Sequence, residues 1–120
     1  MQNIVIVDDH ADIRRLLSIT LGKQYTVIEA ENGLAALKAV RQYKPVAVLL
    51  DVMMPGELDG LQVLDSLKSD EQTRSVLVAM LTARGQQADR DEARVRGADA
   101  YFIKPFSPLQ VVSWLRERLS

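Results

Sequence analysis

The chain has 120 residues, 48% of them hydrophobic and 26% charged, which is the composition of one globular domain with one core. Its formal net charge of -1 excludes a bulk attraction to nucleic acid or to an anionic membrane. With no cysteine, the sequence excludes a disulfide scaffold, a thiolate metal site and a cysteine nucleophile. No apolar run reaches the roughly 20 residues of a membrane span. The N-terminus leads directly into a strand pattern rather than a signal peptide, so we expect a cytoplasmic protein.

Strand-like and helix-like patterns alternate along the chain. Short apolar runs predict strands over 3–7, 25–29, 47–51, 76–81 and 101–103. Helical spacing predicts five helices between and after them, with Asn32, Asp59 and Ser107 as N-caps and Gly22 and Gly97 as stop signals. The expected core stripes of four helices are Ile13, Leu16, Leu17 and Leu21; Leu34, Leu37 and Val40; Leu61, Leu64 and Leu67; and Val112, Leu115 and Leu119.

This alternation predicts an α/β fold, a single doubly wound five-stranded parallel sheet with helices on both faces. The flavodoxin-like strand order 2-1-3-4-5, taken partly by analogy, places the first and third strands side by side. The carboxyl edge of such a sheet is where ligands bind.

Polar residues end four of the predicted strands. Asp8 and Asp9 follow the first strand, Asp51 ends the third, and Thr82 and Lys104 follow the fourth and fifth. Three carboxylates this close resist ionising together unless a cation lies among them, and an all-oxygen set suits Mg²⁺ before Ca²⁺. The alternative for a single acid is that it caps the following helix.

The same edge can also hold a phosphoryl group. Three acids and one lysine leave a formal charge of about -2, which one divalent cation balances. Asp51 is the candidate nucleophile because a carboxylate can form an aspartyl phosphate, while Lys104 offers a point charge and Thr82 a hydrogen bond.

The order and spacing of Asp8-Asp9, Asp51, Thr82-Ala83 and Lys104-Pro105 resemble the receiver domain of two-component response regulators, over the whole chain, 1–120. The segments 53–55, 81–84 and 104–106 are most similar to receivers that carry winged-helix DNA-binding outputs.

The resemblance implies a signalling switch rather than an enzyme. Asp51 would take a phosphoryl group from a sensor histidine kinase or a phosphotransfer protein, with turnover limited to self-phosphorylation and slow loss. Asp9 and Asp51 would ligate Mg²⁺ directly, the Met53 carbonyl would be a further ligand, and Asp8 would act mostly through water. Thr82 and Lys104 would hold the phosphoryl oxygens.

The resemblance also implies how the switch works and what it contacts. Tyr101 would be the aromatic switch that turns inward as Thr82 moves, and the Lys104-Pro105 bond would be cis. The face formed by the fourth helix, fifth strand and fifth helix would contact an output domain or a second copy, with no direct nucleic acid or membrane binding. Met53 and Arg84 would flank the water that attacks the phosphoryl group, and since neither is a general base, the phosphorylated form would be long-lived.

Other functions remain open at this point. A Mg²⁺-dependent phosphatase or phosphotransferase using an aspartyl phosphate would commonly place an acid two residues after the nucleophile, where Met53 stands. A flavodoxin-like cofactor-binding module would carry a glycine-rich loop where Asp8-Asp9 stand. A degenerate receiver that only binds partners would lack some of the landmark residues.

Several other features differ from the usual pattern or have two interpretations. The loop from Asp51 to Asp59-Gly60 is one residue longer than usual, and Ala100 stands where similar receivers often have an acid. His10, the single histidine, fits a solvated loop residue better than a metal ligand. Trp114 is a surface aromatic or a binding anchor. The fourth helix, about 86–96, has three apolar residues and is predicted to be weakly held.

Overall fold

The structure is a computed structural model that describes residues 1–54, 56–83 and 85–119. Five strands alternate with five helices: β1 (Asn3–Val7), α1 (Ala11–Leu21), β2 (Thr26–Ala30), α2 (Gly33–Tyr43), β3 (Ala47–Asp51), α3 (Gly60–Ser69), β4 (Leu77–Thr82), α4 (Gln87–Val95), β5 (Ala100–Ile103) and α5 (Pro108–Leu119). Each strand boundary lies within one residue of its predicted position. None of the helices in these described ranges has the length and apolarity to cross a membrane.

All strand pairs are parallel, and the order β2-β1-β3-β4-β5 confirms the prediction. Val7 of β1 lies beside Leu50 of β3, and Asp51 lies beside Leu81 of β4. Thr82 in turn pairs with Ile103 of β5. The strands therefore end together, and the residues that follow them meet at one edge of the sheet.

Each face of the sheet has its own hydrophobic cluster because successive strand residues point to opposite faces. Val5 and Val7 belong to the cluster that α2, α3 and α4 cover. Ile4 and Ile6 belong to the other, covered by α1 and α5. Burial on both faces explains why the central strands are continuous apolar runs.

Two helix caps form as predicted. The Asn32 side chain accepts a hydrogen bond from the Ala35 amide at 2.9 Å. Asp59 and Gln62 bond reciprocally, each side chain to the other's backbone amide at 2.9 Å, which makes a full capping box at the start of α3.

Two predicted core positions are wrong. Leu16 is 48% exposed, because the buried row of α1 runs through Ile13, Leu17 and Leu21 at intervals of four and Leu16 lies one residue off it. Leu34 is 54% exposed, since α2 packs with small residues, mainly the alanines at 36 and 39, that allow close approach to the sheet.

Candidate functional site

Three acids and a histidine converge beyond the ends of β1 and β3. Asp8, Asp9, His10 and Asp51 each offer one possible ligand atom, and these atoms all lie within 4.8 Å of one another. Asp8 and Asp51 are buried, whereas Asp9 and His10 are exposed. The predicted cluster is therefore formed, with a buried floor and an accessible rim.

Lys104 lies between the two buried acids. Its Nζ donates to Asp8 Oδ2 at 2.8 Å and to Asp51 Oδ2 at 3.2 Å. Its backbone amide donates to the Thr82 carbonyl at 2.8 Å, which fixes the end of β5 against β4. The Lys104-Pro105 peptide bond is cis, as predicted.

Burial and neighbouring charges perturb the pKa values of Asp51 and Lys104. Burial raises the pKa of Asp51, the negative charge of Asp8 raises it further, and Lys104 opposes both effects. Burial alone would lower the pKa of Lys104, but its hydrogen bond to Asp8 and the charge of Asp51 outweigh that effect and raise it. The surroundings of Asp51 therefore destabilise its ionised form, and an added positive charge would stabilise that form.

The backbone after β3 fixes Asp51. The Met53 amide donates to Asp51 Oδ1 at 3.1 Å, and the Gly60 amide donates to the Val52 carbonyl at 2.9 Å. A Cβ atom on Gly60 would lie 2.0 Å from the Asp51 carbonyl oxygen, so only glycine fits. We did not predict this contact; a glycine directly after the Asp59 N-cap was its only sequence signal.

Thr82 and Tyr101 lie on the strands beside Asp51. Thr82 is fully buried at the end of β4, one residue after Leu81, which pairs with Asp51. Tyr101 is partly buried on β5, and the guanidinium of Arg90 from α4 lies 5.7 Å from its ring centre. The structure thus brings every predicted site residue to this edge or its neighbouring strand, whereas Arg84 and Pro55 lie outside the described residues.

His10 is an exposed loop residue as predicted, but it also contacts the acid pair. Its side chain is 59% exposed, as expected of a loop residue, but it is not a purely solvated one. The ring Nδ1 lies 3.0 Å from Asp8 Oδ1 and 3.2 Å from Asp9 Oδ1. The hydrogen bond to Asp8 and the charge of Asp9 raise the pKa of the imidazole.

An open cavity of about 560 Å³ adjoins Asp9. Its walls come from the loops that follow β1, β2 and β3 and from the start of α2: Asp9, Glu31, Asn32, Gly33, Leu34, Gly56, Glu57 and Leu58. The loop after β3 therefore contributes Glu57 and Leu58 to the wall of this cavity.

The donor set fits a hard divalent cation. Three carboxylates with one ammonium leave the formal charge near -2, and carboxylate oxygens are the ligands that Mg²⁺ prefers. The ammonium of Lys104 contacts the Oδ2 atoms of Asp8 and Asp51. The accessible rim at Asp9 leaves room for the waters that Mg²⁺ keeps.

Comparison with known proteins agrees with this geometry. Residues 4–116 match the family model of the response regulator receiver domain. The chain is 43% identical over 110 residues to the transcriptional regulatory protein SrrA of Staphylococcus aureus, covering 91% of the chain and 44% of that protein. The chain thus spans less than half the length of the curated relatives it matches.

Solved structures show the same fold. The Vibrio cholerae chemotaxis protein CheY4 superposes with a TM-score of 0.90 at 27% identity over 98% of both chains. The BeF3-activated DrrB receiver domain gives 0.90 at 26% identity over 99% of this chain and 97% of that one. These matches give no support to the phosphatase alternative, and the chain belongs to the response regulator receiver family.

Proposed function

We propose that this receiver domain works as a phosphorylation-activated two-component switch through Asp51. One observation carries the proposal: Asp51 is a buried carboxylate at the tip of the central strand, with Oδ1 held by the Met53 amide and Oδ2 by Lys104. Both oxygens are oriented, and the side chain faces the acid pair. This is the arrangement that an acceptor of a phosphoryl group needs.

The donor is a phosphohistidine of a sensor histidine kinase or a phosphotransfer protein. A carboxylate oxygen of Asp51 attacks phosphorus, the new P–O bond forms as the P–N bond breaks, and the electron pair returns to the imidazole. Lys104, already in contact with Asp51, stays beside the phosphoryl oxygens together with the Thr82 hydroxyl. Asp9, Asp51 and the Met53 carbonyl would hold Mg²⁺, with Asp8 acting through water, and the ion would neutralise charge between the two anions.

The reaction cycle consists of this transfer and the slow hydrolysis of the aspartyl phosphate by water. Met53, which is exposed beside Asp51, has no group that could act as a general base for hydrolysis. The domain therefore behaves as a switch that accepts one phosphoryl group from a phosphodonor and loses it slowly, rather than as an enzyme acting on small substrates.

The readout passes through α4 and β5. Tyr101 lies beneath Arg90 of α4, so a movement of the tyrosine ring toward Thr82 would remove a contact that holds the helix. The face of α4, β5 and α5 would then contact an output domain or a second copy. Such a domain would act in the cytoplasm with its kinase, and would bind neither nucleic acid nor membrane directly.

The test is phosphorylation by acetyl phosphate with Mg²⁺, followed by intact mass. We expect an adduct of about 80 Da on the wild type and none on Asp51→Asn. Asp59→Asn is the matched control, because it removes a nearby acid but keeps a good N-cap, and it should be phosphorylated normally. Excess EDTA should prevent the reaction. An adduct that persists on Asp51→Asn at the same stoichiometry would overturn the assignment.

A further inference from the structure

His10 occupies an unusual position at the start of α1. It is the residue before the first helical turn, with extended backbone angles (φ -89°, ψ 110°), and within the described residues its side chain does not cap the helix. Both its backbone amide and its ring Nδ1 contact Asp8 Oδ1, at 2.9 and 3.0 Å. The ring Nδ1 is therefore held against Asp8, although the side chain as a whole is 59% exposed.

The distance from the ring nitrogen to Asp9 is that of two ligands that share one ion. Nδ1 lies 3.0 Å from Asp8 Oδ1 and 3.2 Å from Asp9 Oδ1. Two neighbouring ligands of an octahedral ion with bonds of about 2.1 Å are about 3.0 Å apart. The same distances fit a hydrogen bond between an imidazolium and the acids, so the choice between the two depends on which cation is present.

We propose that His10 is a nitrogen ligand of the metal site and makes it favour transition divalent cations such as Mn²⁺ over Mg²⁺. Imidazole is a good ligand for transition metals, whereas Mg²⁺ prefers oxygen. A site with three carboxylates and one imidazole accepts both ions, but the imidazole adds affinity only for the transition-metal cation. This inference rests on the proposed metal site and adds its selectivity.

The test is pulsed EPR of the untagged protein loaded with Mn²⁺. Because His10 is the single histidine of the chain, a directly bound imidazole nitrogen can come from no other residue. We expect a strong ¹⁴N coupling in the wild type and none in His10→Gln. Titration should also show Mn²⁺ bound about 10-fold more weakly by His10→Gln, with a much smaller change for Mg²⁺.

The outcomes separate this inference from the proposed function. If wild-type protein at saturating Mn²⁺ shows no imidazole coupling, or if the ratio of Mn²⁺ to Mg²⁺ affinity is the same in His10→Gln, His10 is not a selectivity ligand. Phosphorylation of wild-type Asp51 with Mg²⁺ would still support the switch in that case. If the wild type binds neither ion, both the metal site and the role of His10 fall.

Discussion

At the scale of single residues, the site is a balance between burial and charge. Asp8 and Asp51 are both buried, and Lys104, itself largely buried, contacts one oxygen of each. Burying a carboxylate costs free energy that one shared ammonium does not fully offset, and the raised pKa of Asp51 records this imbalance. The residues that would perform the chemistry are therefore placed at the expense of stability.

Asp51→Asn should consequently be more stable than the wild type. At pH 7 without divalent cations we expect a gain of about 1 kcal/mol, which raises Tm by about 4 °C for a domain of this size. Because the pKa of Asp51 is raised in the folded state, the wild type recovers this stability as pH falls through that pKa. The difference in Tm should therefore be larger at pH 7 and shrink as the pH falls toward 4. Thermal unfolding in EDTA at both pH values measures it, and a wild type more stable than the variant at pH 7 would contradict the argument.

At the scale of elements, two contacts position the segment between β3 and α3. The Met53 amide donates to Asp51 at one end of the connecting loop, and Gly60 packs on the Asp51 carbonyl at the other. Between them, Gly56, Glu57 and Leu58 line the cavity beside Asp9.

Gly60→Ala should disrupt this arrangement. Its Cβ would lie 2.0 Å from the Asp51 carbonyl oxygen, which is backbone and cannot turn aside. We expect a loss of about 2–3 kcal/mol in the free energy of unfolding and slower phosphorylation of Asp51. Gly85→Ala is the control, because among the described residues its Cβ would meet the side chain of Ile103, at 3.3 and 3.7 Å, and no backbone atom. Urea unfolding of both variants compares them, and equal stabilities would show that α3 can shift away from β3.

The fourth helix is the least anchored of the five. Of the residues of α4, all of which the structure describes, Ala93 is the one that is buried, and Val95 is 84% exposed. Its other contacts include Arg90 with the Tyr101 ring and surface ion pairs, such as Glu92 with Arg96, which contribute little.

Hydrogen exchange should therefore be fastest in α4 among the helices of the unphosphorylated domain. Acetyl phosphate with Mg²⁺ should change exchange in α4, β5 and α5, because Tyr101 joins the first two through Arg90. Asp51→Asn, treated identically, controls for effects of the reagent. Changes confined to α1 and α2 would contradict a readout through this face.

At the scale of the whole molecule, the fold was predictable because the central strands of the sheet are buried on both faces. Strands such as Ala47–Asp51 are apolar throughout and stop at a polar residue, so one pattern locates both the strand and the site. The exposed Leu16 and Leu34 were not predictable in the same way. Periodicity marks apolar residues but cannot show that alanines, rather than a leucine, form the face of α2 that packs on the sheet.

The finer site contacts depend on distances between elements that sequence spacing does not define. The contact of Gly60 with the Asp51 carbonyl requires the crossing of α3 and β3. The contact of His10 with both acids requires a particular backbone turn after β1 and a particular side-chain rotamer. Sequence adjacency to Asp8-Asp9 was compatible with that contact but also with a ring directed into solvent.

The aromatic residues of the edge strand β5 offer a way to follow phosphorylation by fluorescence. Tyr101 and Phe102 are consecutive, so they face opposite clusters, and Phe102 meets Trp114 edge-on at 6.1 Å between ring centres. Trp114 is the single tryptophan of the chain and is half-buried. A rotation of β5 that moves Tyr101 also moves the Phe102 ring against the indole of Trp114. Intrinsic fluorescence should therefore report phosphorylation without any added label, through a shift in emission that Asp51→Asn does not show.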